Sequence, residues 1–153
     1  MAQERNWPPD APLPGLLWST SFLAVLLVSE WPNVRVKQAA EHDDLPGVRR
    51  GLRWAVAFGL VLLAIRAAEF TALGVRWDWN AYGSIVWALL VLHTVHLVTD
   101  FYDTCVLTAL LHGEHGGSPR RYVDVSENSL YWHFVVITWI PLYLLIYWTP
   151  RLP

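Results

Sequence analysis

Cysteine is almost missing: Cys105 stands alone among 153 residues, which excludes an internal disulfide and any cysteine-rich metal cage. An excess of charge of one sign is missing too. A formal net charge of -2 and a pI near 6.3 leave no basic footprint for a nucleic acid, so no nucleic-acid partner is expected. No string pairs a nucleophile with a base, and neither a Walker loop nor a glycine-rich dinucleotide turn is present. Repeats at a solenoid-like period and low-complexity tracts are lacking. So is the ten-residue apolar/polar alternation that a membrane barrel requires. The first residues, "MAQERNWPPDAPLPG", lack a basic stretch feeding a short apolar core and a small-residue cleavage site, so no cleaved signal peptide is expected. Their prolines suit an extended lead into the first apolar segment.

Apolar length is what the sequence does have. Hydrophobic residues make up 54% of the chain, and ten tryptophans are more than a soluble domain of this size carries, whereas bilayer interfaces collect them. A hydrocarbon core about 30 Å thick takes roughly 20 helical residues to cross, and four segments approach that length. The expected helices run roughly over 13–40, 51–73, 82–111 and 129–149, forming a single membrane domain over 1–153. The first, "LPGLLWSTSFLAVLLVSEW", is short and is extended by an amphipathic "PNVRVKQAAEH". The third starts at "YGSIVWALLVLHTVHLV" and continues through "TDFYDTCVLTALL". The fourth contains "SLYWHFVVITWIPLYLLIYW", twenty residues without a formal charge. The expected fold class is an all-α integral membrane protein with four transmembrane helices in an antiparallel bundle.

Positive charges set the expected orientation. Arg35, Lys37, Arg49, Arg50, Arg53, Arg120 and Arg121 fall on one side, and Arg5, Arg76 and Arg151 on the other. Seven against three places both termini on the outer side of the membrane.

Ionisable groups inside such segments are costly, at least ~2.5 kcal/mol for a central charge on insertion scales, so each needs a partner or a task. Arg66 and Glu69 sit at i,i+3 and can neutralise each other; a proton-conducting or headgroup-binding role for Glu69 is the alternative. His93 and His96 share one helix face in "HTVH". Interhelical hydrogen bonding, metal binding with help from Glu69, His133 or the loop histidines His112 and His115, and haem ligation all remain open for them. Asp100 and Asp103 read as solvated carboxylates toward the inner end of the third helix, which the helix dipole tolerates only if the helix runs on well past them. His133 near the start of the last segment reads as a ligand, a proton carrier or a packing residue at the membrane surface.

Order and spacing make these residues familiar. "YWHFVVITWIPLYLLIYW" resembles the last helix of subunit III of haem-copper cytochrome c and quinol oxidases. "YGS" at 82–84 followed by His93 and His96 is similar to the start of that family's sixth helix and its His-x-x-His, and "AAEF" at 67–70 to the Ala-x-Glu-Tyr of its fifth. "WPP" ahead of "LLWSTSFLAVLLVS" is similar to its Trp-Pro-Pro loop and fourth helix. The resemblance covers nearly the whole chain and carries over Glu69, Tyr82, His93, His96, Tyr131, Trp132 and His133 by position. There are departures: Glu127 is displaced by one from the family's acid before Tyr-Trp-His-Phe, Ser126 takes the aligned place, and Val136 stands where an Asp often follows. Only the equivalents of the family's last four helices are present, so the lipid-holding cleft built with the earlier ones is not expected here.

The resemblance implies a shortened accessory subunit with no catalytic residues and no cofactor of its own, haem and copper residing in partner subunits. Its expected partners are the catalytic subunit I of a haem-copper oxidase, other respiratory-complex subunits and phospholipids. Stabilising the catalytic subunit, binding lipid and supporting proton uptake are the implied tasks, in a prokaryotic cytoplasmic membrane. Arg66, Glu69, Tyr82, His93, His96, Tyr131, Trp132 and His133 are the residues expected to make structural, lipid or subunit contacts. Glu69 with the third-helix histidines is expected to form a buried polar contact. A partner of a nitric oxide reductase, a small four-helix b-type cytochrome and a transporter half are the rival readings, the last lacking a pair of discontinuous helices.

Overall fold

A computed structural model describes residues 13–114 and 116–152. The Trp-Pro-Pro stretch and His115 therefore lie outside the described residues. Four long helices account for most of the rest: α1 Leu16–Glu41, α2 Leu45–Thr71, α3 Ala81–His112 and α4 Pro119–Tyr143. After α4 the chain keeps winding as a π-helical turn, Leu144–Trp148, and a 3-10 turn, Thr149–Arg151. No strand occurs among the described residues.

Two helices start earlier than apolarity alone suggests. At α2 the carboxylate of Asp44 accepts from Gly47 N at 3.2 Å, and proline occupies the first turn, where its missing N–H costs nothing. The helix thus begins six residues ahead of the expected 51, by the difference between 45 and 51. At α4, Ser118 precedes a proline at the first helical position, and the polar run "PRRYVDVSEN" becomes helical because Tyr122 and Val125 bury against Val36, Val48, Leu107 and Leu111. Both extensions are amphipathic turns that a search for apolar runs passes over. Asn80 caps α3 by accepting from Gly83 N at 2.7 Å.

The described residues hold three helices long and apolar enough to cross a bilayer: α2, α3 and the continuous Pro119–Arg151 segment. The apolar part of α1 gives out at Ser29 and Glu30, so its second half is amphipathic. With 32 residues, α3 is about 48 Å long at 1.5 Å per residue, enough to project beyond a 30 Å hydrocarbon core.

Packing runs around a ring: α1 lies against α2 and α4, and α3 against the same two. Two apolar clusters fill the centre. The larger contains Phe22, Leu26, Leu62, Leu90, Leu97, Trp139 and Tyr147, the smaller Val36, Val48, Leu52, Leu111 and Val125. The outside is apolar as well, with Leu17, Leu60, Leu92, Val95, Leu130 and Ile137 exposed, the pattern of a surface facing lipid or another chain rather than water.

Close helix approach depends on glycine at two places in α2. A Cβ at Gly51 would run into the side chain of Val36 in α1, and one at Gly59 into the ring of Phe101 in α3. Pro141 breaks one rung of the α4 ladder, and the wider π turn that follows places Ile146 and Tyr147 in the interior.

Candidate functional site

Arg66 is the centre of the main polar cluster. Its position on the inner face of α2 buries the guanidinium completely, among side chains from all four helices. Nη1 stands 2.9 Å from Glu69 Oε2, an ion pair one turn along the same helix with both side chains 2% exposed. Nη2 donates to His93 Nδ1 of α3 at 3.0 Å. The flat faces of the guanidinium are covered by rings, Phe22 of α1 at 3.9 Å and Trp139 of α4 at 4.1 Å. Tyr147, delivered by the π turn, donates its hydroxyl to Glu69 Oε1.

This set of contacts decides the state of His93. Because Nδ1 accepts from Arg66, the ring proton sits on Nε2, which donates to the Val135 carbonyl at 3.0 Å. Both ring nitrogens are thus committed, and neither has a lone pair directed at an iron or zinc ion. The indole of Trp139 lies 4.8 Å from the imidazole, and its own Nε1 is buried without a hydrogen-bond partner among the described residues. Tyr82 sits in the same region, donating to the Ile146 carbonyl at 2.7 Å. The cluster ties the end of the fourth helix to α2 and α3 through charge-assisted bonds in a low-dielectric interior, where each is stronger than in water.

His96 does not join it. One turn along from His93, its Nδ1 meets the hydroxyl of Tyr131 at 2.6 Å, with Phe134 edge-on at 5.7 Å. Of the expected contact, the structure brings Glu69, Arg66 and His93 together and leaves His96 on the half-exposed α3/α4 seam.

The remaining residues of the Tyr-Trp-His-Phe string point to α1. Trp132 donates through Nε1 to Ser29 Oγ at 3.0 Å, and His133 Nδ1 lies 2.6 Å from Glu30 Oε1. Asn33 adds a bond to the Ser129 carbonyl at 3.0 Å. His133 therefore has a partner within its own chain, although half of its side chain stays accessible.

Asp100 requires a correction. The expectation of a solvated carboxylate fails, because Asp100 is 1% exposed and accepts from Asn128 Nδ2 of α4 at 3.2 Å. Thr104 donates to Asn128 Oδ1 at 3.1 Å, completing a small polar bridge. The cause is helix phase: Leu90, His93, Leu97, Asp100, Thr104 and Leu107 form one buried stripe, whereas Asp103 falls on the exposed face. That stripe is readable in the sequence at 3.6-residue spacing. A cavity of about 20 Å3, room for one water, lies beside Asp100 and is lined also by Ser29, Asn33 and Gly59.

Among the described residues no group of three or more histidine, cysteine or acidic side chains converges to hold a metal ion. His112 is used locally, Nδ1 lying 2.7 Å from the Thr108 carbonyl, and Cys105 is a free, half-buried thiol.

Helices of bilayer length, apolar outer faces and an interior ion pair bonded on to a second helix define a polytopic α-helical membrane protein. The sequence matches the family described as Cytochrome c oxidase subunit III over residues 23–150. It is 30% identical over 145 residues to the probable cytochrome c oxidase subunit 3 of Mycobacterium tuberculosis strain H37Rv, covering 93% of this chain and 71% of that protein. It is also 30% identical over 154 residues to cytochrome c oxidase subunit 3 of Tachyglossus aculeatus aculeatus, and 26% over 147 residues to that of Pylaiella littoralis. These alignments take in 93% of this chain and 55% and 53% of the two relatives, so the chain spans about half the length of those proteins. The chain belongs to the cytochrome c oxidase subunit III family.

Proposed function

We propose that this chain is an accessory subunit of a haem-copper cytochrome c oxidase, packed beside the catalytic subunit I and other respiratory-complex subunits in a prokaryotic cytoplasmic membrane. The family match over residues 23–150 carries the reading. Its work there is mechanical and environmental: it stabilises the catalytic subunit, binds phospholipid and supports proton uptake, while electron transfer and oxygen reduction belong to the neighbours' haem and copper.

The chain crosses the bilayer four times as an antiparallel bundle with both termini on the outer side. The excess of Arg and Lys beside the α1/α2 and α3/α4 connections supports that orientation. The larger share of the mycobacterial relative covered, 71% against 55% for Tachyglossus, supports a prokaryotic setting. The contacts described above leave Phe134, Ile137 and His133 on an outward strip of the last helix, a surface suited to a neighbouring subunit.

Co-purification tests the proposal. A tagged chain extracted from its native membrane in mild detergent is expected to bring down a catalytic subunit with haem and stoichiometric copper. A haem-containing partner without copper identifies a nitric oxide reductase instead. Pyridine haemochrome assay of the separated chain is expected to give no haem, and about one haem per chain would make it a cytochrome in its own right.

A further inference from the structure

The end of the bundle that carries the α1/α2 connection has a second feature, unrelated to the buried cluster. An open hollow of about 330 Å3 lies between α1 and α2, lined by Trp31, Arg35, Val36, Asp44, Arg50 and Trp54 among others. A neighbouring hollow of similar size is lined by Arg50, Arg53 and Trp54, so the two share one arginine and one indole. Gly47 and Gly51 also line it; a Cβ at Gly51 would meet Val36 of α1, and one at Gly47 the Asp44 carboxylate.

The charge here is net positive, three arginines against the one carboxylate of Asp44. Among the described residues Arg35, Arg50 and Arg53 take part in no salt bridge, in a chain where Lys37, Arg66, Arg76 and Arg121 each have a carboxylate. Arg35 lies over the Trp31 ring at 4.1 Å, and Arg53 Nε donates only to the Arg49 carbonyl at 3.3 Å. The single acid in the lining, Asp44, is engaged as the cap of α2. Trp31 and Trp54 stand at the rim with 64% and 58% of their surface open. Three guanidinium groups without a salt-bridge partner among the described residues, beside two exposed indoles and near the start of a bilayer-length helix, match a phosphate at headgroup level with its glycerol and acyl chains running down past the tryptophans.

We propose that this hollow is a binding site for an anionic phospholipid, whose phosphate is held by Arg35, Arg50 and Arg53 and whose glycerol region packs on Trp31 and Trp54. The site lies on the α1/α2 seam and uses none of the cleft formed by the family's first helices. It rests on the membrane-subunit reading for its depth in the bilayer and names where the lipid of that reading sits. An anionic lipid, rather than an acidic protein segment, is favoured because two exposed indoles stand beside the arginines on a helix pair that includes α2, long and apolar enough to cross a bilayer.

Native mass spectrometry of the full chain in mild detergent tests this, with palmitoyl-oleoyl phosphatidylglycerol, phosphatidylcholine of the same chains and inorganic phosphate as probes. Phosphatidylglycerol is expected to be retained at least about tenfold more tightly than phosphatidylcholine, and not to be displaced by phosphate. Arg35→Gln with Arg50→Gln is expected to weaken it about thirtyfold, while Arg76→Gln at the far end leaves it unchanged. Should the double variant fail to fold, Arg53→Gln carries the test with about a fivefold loss. Equal retention of the two lipids, displacement by phosphate, or undiminished binding in the arginine variants overturns the proposal. So does an acidic protein that occupies the site in place of lipid. The measurement needs no other oxidase subunit, so a failure here leaves the subunit assignment standing, and failed co-purification leaves the lipid site standing.

Discussion

Replacing Glu69 by Gln keeps the shape of the side chain and removes its charge, which makes it the sharpest probe of the buried cluster. The guanidinium of Arg66 would lose its carboxylate partner, 2.9 Å away, in a position where neither side chain is more than 2% exposed. Removing one partner of such a pair costs about 3–5 kcal/mol, because the other charge is left uncompensated without water. His93 Nδ1 and the rings of Phe22 and Trp139 remain in contact with Arg66, so the lower end, about 3 kcal/mol, is expected. Arg66→Met removes more: the ion pair, the bond to His93 and both ring contacts, and it strands a carboxylate held only by Tyr147. About 4–5 kcal/mol is expected for it. The double variant carries no buried charge and should cost at least ~2 kcal/mol less than the sum of the two singles. Equilibrium unfolding in a fixed detergent or lipid nanodisc measures the cycle. A coupling energy within about 0.5 kcal/mol of zero would refute the idea that this pair joins the helices.

The two histidines of the third helix should respond unequally. His93→Leu strands Arg66 Nη2 and removes the bond to the Val135 carbonyl, and is expected to cost about 2–3 kcal/mol. His96→Leu loses one bond to Tyr131 on a half-exposed seam and should cost under ~1 kcal/mol, so equal melting shifts would contradict the assignment of roles. Gly59→Ala pushes a methyl group into the Phe101 ring and is expected to destabilise by about 1–3 kcal/mol. Phe101→Leu in the same chain should recover part of that loss, and an additive pair would show that the two do not touch. Asp100→Leu is expected to destabilise by roughly 1–3 kcal/mol by stranding the Asn128 amide, with Asp100→Leu and Asn128→Leu together costing less than their sum.

The helical framework was legible because long apolar runs admit few alternatives: a bilayer-length segment must satisfy its backbone internally. Arg66 and Glu69 were legible as a pair because both lie on one helix, where spacing alone fixes their distance. Tyr131, Trp132 and His133 were readable as contact residues, but not their division of labour, with Tyr131 turned to α3 and Trp132 and His133 to α1. Asp100 was misread because its proximity to Asp103 suggested a solvated helix end. Following the stripe from Leu90 through His93 and Leu97 would have placed it inside.

The sequence by itself thus determined the class of protein, the number of long helices, the family, and the Arg66–Glu69 pair within one helix. Those depend on composition and on the fixed 3.6-residue repeat, which need no knowledge of neighbours. The tertiary structure decided which charged and polar groups meet across helices. It set Arg66 between Phe22 and Trp139, gave His93 rather than His96 to the buried cluster, matched Asp100 with Asn128, and brought Tyr147 to Glu69 through the π turn. Those pairings join residues far apart in the chain, and only the relative rotation and depth of the packed helices fix their distances.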